Sequence, residues 1–144
     1  MSQVDPLPYK RRLKENERAK VREELKRIWD FNGDYWFPLR EIRPDIQSIF
    51  VAKDQLTPSD LEFIKATIQE KSPERLYMIT EEQLDYEIET SAVDIDCYET
   101  ILCDKSFDIV LYGSHERTFT FGGSYLIDKV VERLRERRNL INSW

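Results

Sequence analysis

Apolar residues recur along this chain at helical and at strand spacings, and each spacing predicts its own elements. A first helix is predicted over residues 9–28, because the apolar residues of this stretch fall on one face while most of the others carry charge. That face consists of Leu13, Val21, Leu25 and Ile28. Such a narrow apolar stripe is typical of a helix that lies on the surface of a protein.

Two further helices are predicted from the residues at which they begin. The second helix begins after Thr57, which is placed to cap it, with Pro58 at the first helical position and Asp60 three residues after the cap. The third begins at Ser124, a plausible cap that follows two glycines. Its apolar face consists of Ile127, Val130, Val131, Leu134 and Ile141.

Strands are predicted where apolar residues alternate or cluster between turn signals. One strand precedes the second helix and five follow it, at residues 47–53, 75–80, 84–90, 97–103, 107–112 and 117–121. Short links join consecutive strands, which favours antiparallel pairing. We therefore predict an α+β fold: a single domain over residues 1–144, with an antiparallel sheet of five or six strands, three helices and a loose lead-in at residues 1–8.

Composition favours an intracellular domain. The net charge is −6 and 35% of the residues are charged, and the longest apolar runs are far shorter than the roughly 20 residues that a membrane span needs. No basic segment followed by an apolar stretch opens the chain, so no secretory signal is predicted. Cys97 and Cys103 are predicted on one strand, about 20 Å apart and too far for a disulfide. We expect a cytoplasmic protein with two reduced thiols.

The strongest charge feature is an acidic stretch at residues 81–108, which holds ten carboxylates and a single lysine, Lys105. Within it residues 84–90 alternate strictly, so Asp85, Glu87 and Glu89 point the same way from one strand at spacings of roughly 6.6 Å. Three like charges this close repel one another, and a structural strand gains little from them. We predict that these three residues bind a basic protein partner. The rival interpretation is that the basic first helix lies across this strand and neutralises it.

Residues 108–123, with the sequence DIVLYGSHERTFTFGG, are predicted to form strand, turn and strand before the last helix. This segment resembles small bacterial domains, some of which are similar to immunity proteins that neutralise toxins. The resemblance covers 16 of the 144 residues and includes no catalytic or binding motif, so no site residue is carried over from it. It implies a cytoplasmic binding protein of the immunity or inhibitor type, without catalytic chemistry.

A small metal-dependent protein is an alternative, because residues 30–41 resemble the calcium loop of the EF-hand family. Asp30, Asn32, Asp34 and Glu41 stand at ligand positions of that loop. Tyr35 replaces the glycine that its sharp turn requires. We therefore expect this loop not to bind calcium, and we predict no metal ligands and no cofactor.

A small enzyme is a further alternative, and it would use His115, the only histidine. His115 is predicted in a hairpin turn beside Ser114, and adjacent side chains at a strand end point apart, which disfavours a catalytic pair. We therefore predict no catalytic residue, and the sequence identifies no small-molecule site. An RNA-contacting accessory protein could use the basic first helix, but the acidic net charge disfavours nucleic acid as a partner.

Overall fold

The computed structural model describes residues 9–31, 46–80 and 84–143. The described residues contain one antiparallel sheet of seven strands in the order β1-β4-β3-β5-β6-β7-β2. The strands are β1 (Lys10–Arg12), β2 (Ser48–Ala52), β3 (Arg75–Thr80), β4 (Tyr86–Glu89), β5 (Thr100–Cys103), β6 (Val110–Gly113) and β7 (Thr118–Gly122). The α+β class and the antiparallel sheet are confirmed, whereas the predicted number of five or six strands is wrong.

The unpredicted strand is β1, which replaces the beginning of the predicted first helix. Lys10–Arg12 pair antiparallel with β4. The pairing is extended at both ends, because the Leu13 amide donates to the Asp85 carbonyl at 2.9 Å and the Glu89 amide donates to the Tyr9 carbonyl at 2.8 Å. A three-residue strand held only by such distant partners leaves no periodic signal in its own sequence.

Four helices of six residues or more lie within the described residues: the α-helices α1 (Glu15–Trp29), α2 (Pro58–Lys71) and α3 (Ser124–Arg133), and a 3-10 helix at Arg135–Leu140. The predicted number of three helices is therefore too low. The predicted start of α2 is confirmed, since Thr57 and Asp60 accept hydrogen bonds from each other's backbone amides. The pattern extends the last helix to Ile141, but the α-helix ends at Arg133, and Arg137 has non-helical angles of φ −130° and ψ 40°.

Helices cover both faces of the sheet. In β5, Leu102 joins the core beneath α2 and α3, whereas Ile101 and Cys103 join the core beneath α1. All four residues of β5 and all four of β6 are buried, as expected for central strands that are covered on both faces. The α1 side of the core consists of Leu13, Val21, Leu25, Trp29, Phe31, Ile79, Ile101, Cys103, Val110 and Tyr112.

Two sequence predictions fall on residues outside the described ranges. The predicted lead-in at residues 1–8 lies outside them. Residues 32–41, which make up most of the loop considered for calcium, lie outside them as well. Asp30, the first residue of that loop, ends α1 in the left-handed region at φ 59°.

No helix among the described residues is both long enough and apolar enough to cross a membrane.

The two cysteines do not share a strand as predicted. Cys103 lies in β5, whereas Cys97 lies in the segment that precedes it, and neither is in a disulfide. Burial raises the pKa of the Cys97 thiol to about 11 and raises that of Cys103 well above its ordinary value. Both thiols are therefore protonated at neutral pH and poorly nucleophilic.

Native protein is expected to react with a thiol reagent at least about tenfold more slowly than protein unfolded in guanidinium chloride, because Cys103 is buried, Cys97 is partly buried and both thiols are protonated. A labelling time course with and without denaturant measures this ratio, and intact mass reports the redox state. Rapid labelling of the folded protein, or a mass lower by two hydrogens, would contradict the expectation.

Candidate functional site

A cavity of about 700 Å³ opens at the end of the sheet where β3 begins and β4 ends. The link between β5 and β6 forms its other side. Most of its lining side chains are polar or charged: Lys71, Ser72, Pro73, Glu74, Arg75, Glu87, Glu89, Ser91, Asp104, Lys105 and Ser106. This lining suits a charged side chain or a small polar group rather than an apolar ligand.

Strand register brings Glu87 and Glu89 to this cavity. In the antiparallel pair of β3 and β4, Glu87 lies opposite Tyr77 and Glu89 lies opposite Arg75. Directly opposite residues point to the same face of a sheet, and Tyr77 packs against the core beneath α1. The alternation at residues 84–90 therefore correctly places both glutamates on one face.

Asp85 is not part of the cavity, although the sequence groups it with the two glutamates. Its side chain has no exposed surface, and it accepts hydrogen bonds from Nε and Nη2 of Arg22 at 2.7 and 2.9 Å. Nε of Arg18 lies 3.1 Å away and the Thr80 amide donates at 3.1 Å. The prediction that Asp85 faces outward to a partner is wrong, because α1 covers and neutralises it, as the rival interpretation expected.

Glu87 contacts three cations. Its Oε2 accepts a hydrogen bond from Arg11 at 3.1 Å and lies 2.9 Å from Nζ of Lys105, while its Oε1 lies 3.8 Å from Arg75. Burial by itself would raise the pKa of Glu87, but the hydrogen bonds from Lys105 and Arg11 outweigh it, and the pKa is lowered. Glu87 is therefore a carboxylate at neutral pH. Its ion pairs join β4 to β1, to β3 and to the turn between β5 and β6.

Glu89 is the more open of the two glutamates. Its side chain is 46% exposed against 13% for Glu87, and its Oε1 lies 3.6 Å from Nη2 of Arg75. A half-exposed carboxylate keeps part of its hydration and needs little rearrangement to meet a new cation. The cavity thus presents a half-exposed carboxylate that contacts Arg75 beside a more buried one that contacts three cations.

The link that carries Lys105 is held in place from below. Asp104 is buried, and its Oδ1 accepts hydrogen bonds from the amides of Asp108 and Ile109 at 2.8 and 3.0 Å. Phe107 adopts a left-handed φ of 59°, and its carbonyl accepts a hydrogen bond from the indole of Trp29 at 3.0 Å. The turn is therefore fixed to α1, while the Lys105 side chain remains 48% exposed.

His115 lies at the other end of the sheet, in the turn between β6 and β7. Glu99 accepts hydrogen bonds from the Tyr112 hydroxyl and the His115 amide and lies against Nδ1 of the His115 ring. Burial by itself would raise the pKa of Glu99, but these hydrogen bonds outweigh it and lower the pKa. Ser114 is fully buried, and its Oγ lies 2.8 Å from Oγ1 of Thr118. The serine stabilises the turn.

The sequence pattern does not reveal two of the cavity's cations, Lys71 and Arg75, because they come from the end of α2 and the start of β3, and no local pattern links them to β4. Within residues 9–31, 46–80 and 84–143, no group of three or more histidine, cysteine, aspartate or glutamate residues could hold a metal ion.

No protein family, curated protein or solved structure matches this chain.

Proposed function

We propose that this protein is a non-catalytic binding domain that holds a basic segment of a protein partner in the cavity, with Glu87 and Glu89 as the principal contacts. The observation that carries this proposal is that two carboxylates of one strand line a single charged cavity. The net charge of −6 would attract a basic partner at long range. A cytoplasmic protein of the immunity or inhibitor type is the form of this function that residues 108–123 imply by resemblance.

Binding at this site exchanges ion pairs rather than creating them in a vacant pocket. Exposed ion pairs contribute only about 0–1 kcal/mol each, so the affinity has to come from several contacts made together. Charge attraction also accelerates association, and salt screens it over about 8 Å at physiological ionic strength. A partner with a cluster of basic residues fits these energetics better than one with a single basic residue.

Catalysis by His115 is a second candidate function, and one observation favours it. The Glu99 carboxylate lies against Nδ1 of His115, as an orienting carboxylate does in a hydrolytic triad. However, the hydroxyl of Ser114 contacts Thr118, and His115 does not line the cavity. The binding function therefore has the stronger support.

RNA contact through the basic helix has less support than its sequence suggested. Arg18 and Arg22 of α1 are ion-paired with Asp85 inside the protein. Arg27 is ion-paired with Glu24 on the helix itself. Arginines that neutralise the protein's own carboxylates contribute little attraction toward phosphates.

Replacing both Glu87 and Glu89 by glutamine is expected to weaken binding of a basic probe about fivefold to thirtyfold, because two charge contacts of roughly 0.5–1 kcal/mol each are lost. The probe is a short lysine-rich peptide with blocked termini, and isothermal titration calorimetry at low and at physiological salt measures its affinity. The association rate, measured by stopped flow, should fall more than the dissociation rate changes.

The matched control is the pair Glu62→Gln and Glu132→Gln, which removes the same charge from exposed positions on α2 and α3. It should weaken the peptide less than twofold, because both positions lie outside the cavity lining. Circular dichroism verifies that all variants fold. Equal weakening by the two pairs, or no binding by the unaltered protein, would overturn the proposed function.

A further inference from the structure

Lys105 places an ammonium group directly on a carboxylate of the cavity. Its Nζ lies 2.9 Å from Oε2 of Glu87 and 5.8 Å from the centre of the Tyr77 ring. That ring stacks on Phe107, with ring centres 5.8 Å apart. A carboxylate beside the face of an aromatic ring is the chemistry that recognises an ammonium group, through a charge-assisted hydrogen bond and a cation–π contact.

Of the three cations around Glu87, Lys105 is the most easily displaced. Arg11 belongs to β1 and is also held by Glu17 in a bidentate pair at 2.9 and 2.8 Å. Arg75 belongs to β3 and lies between Glu87 and Glu89. Lys105 reaches Glu87 from the tip of a turn, and its exposed fraction of 48% exceeds the 33% of Arg11 and the 28% of Arg75.

We propose that Glu87, Glu89 and Tyr77 form a subsite for a primary ammonium group, the side chain of a lysine in the partner, and that Lys105 fills this subsite until the partner displaces it. This inference rests on the proposed function and names the chemical group that is recognised. Exchange of one ammonium for another keeps three cations around Glu87, because Arg11 and Arg75 remain in place. A partner cannot enter the subsite while Lys105 occupies it. The apparent association constant is therefore the intrinsic one multiplied by the fraction of time for which the subsite is open.

Replacing Lys105 by methionine is expected to tighten binding of the lysine-rich peptide about threefold to tenfold. The variant removes the competing ammonium and keeps most of the apolar stem. Lys20→Met is the matched control, because it removes the same charge from an exposed position on α1, and it should change the affinity less than about 1.5-fold. Calorimetry at physiological salt measures the peptide affinity of each variant.

The location of the effect is tested by combining Lys105→Met with Glu87→Gln, which should abolish the tightening because the contested carboxylate is absent. If Glu87→Gln fails to fold, Glu89→Gln serves as the second background. The tightening should persist there at a lower absolute affinity, because Glu87 remains.

The outcomes separate this inference from the proposed function. If the peptide binds through Glu87 and Glu89 but Lys105→Met binds it no more tightly than Lys20→Met does, the ammonium subsite is overturned and the proposed function stands. If Lys105→Met tightens binding equally with and without Glu87, the effect is general charge and the subsite is again overturned. If neither the unaltered protein nor Lys105→Met binds the peptide, both proposals fall.

Discussion

Replacing Asp85 by alanine is expected to lower the free energy of unfolding by about 3–5 kcal/mol, because it removes a buried carboxylate that Arg18 and Arg22 both contact. The Asp85 side chain has no exposed surface, and Arg18 and Arg22 on α1 are each only 17% exposed. The Thr80 amide also loses its acceptor. Urea denaturation followed by circular dichroism measures the change.

The matched comparison is Glu89→Ala on the same face of the sheet. Glu89 is 46% exposed, so its replacement should cost less than about 1 kcal/mol. Combining Asp85→Ala with Arg22→Met should restore part of the loss, because the second change removes one of the two cations that faced the carboxylate and supplies apolar contacts. Similar losses from Asp85→Ala and Glu89→Ala, or no recovery in the double variant, would contradict this account of the α1 contact.

The second large loss of stability is expected on replacing Asp60. This residue joins the start of α2 to the end of α3 and to the 3-10 helix that follows it. Its side chain is 1% exposed and accepts hydrogen bonds from Arg133 at 2.9 Å and from Arg137 at 2.8 and 2.9 Å. Asp60→Ala removes these pairs together with the acceptor for the Thr57 amide, which is one half of the capping box that begins α2. We expect a loss of about 3–4 kcal/mol in urea denaturation. Asp128→Ala, at an exposed position on α3, should lose less than about 0.5 kcal/mol.

The contribution of Asp60 should also depend on pH, in a direction that follows from its pKa. The hydrogen bond from Arg137 lowers this pKa, burial opposes the change, and the Thr57 amide reinforces it, so the pKa lies well below its ordinary value. A carboxylate whose pKa is lowered on folding stabilises the protein fully above its unfolded pKa of about 4, and this stabilisation is lost as the pH falls below that value. The stability difference between the unaltered protein and Asp60→Ala should therefore shrink as the pH falls below about 4. A difference that stays constant or grows in acid would show that Asp60 acts without its charge.

Sequence determined those features whose causes are local. The start of α2 follows from Thr57, Pro58 and Asp60, which lie within four positions and satisfy one another's backbone groups. The shared face of Glu87 and Glu89 follows from the two-residue period of a strand, which any partner strand preserves. The α+β class likewise follows from the order of the elements and the short links between strands.

Tertiary structure alone decided the features whose causes lie far apart in the chain. Arg22 and Asp85, separated by 63 positions, form the pair that buries a carboxylate predicted to face a partner. Arg11 and Glu87, separated by 76 positions, hold β1 against the sheet. The sequence of β1 did not predict that it would form a strand. The cavity has the same origin, because the end of α2, two strands and a turn meet only after the sheet is assembled. Local propensity and periodicity carry no information about such pairings, since they describe a residue's neighbours in sequence and not its neighbours in space.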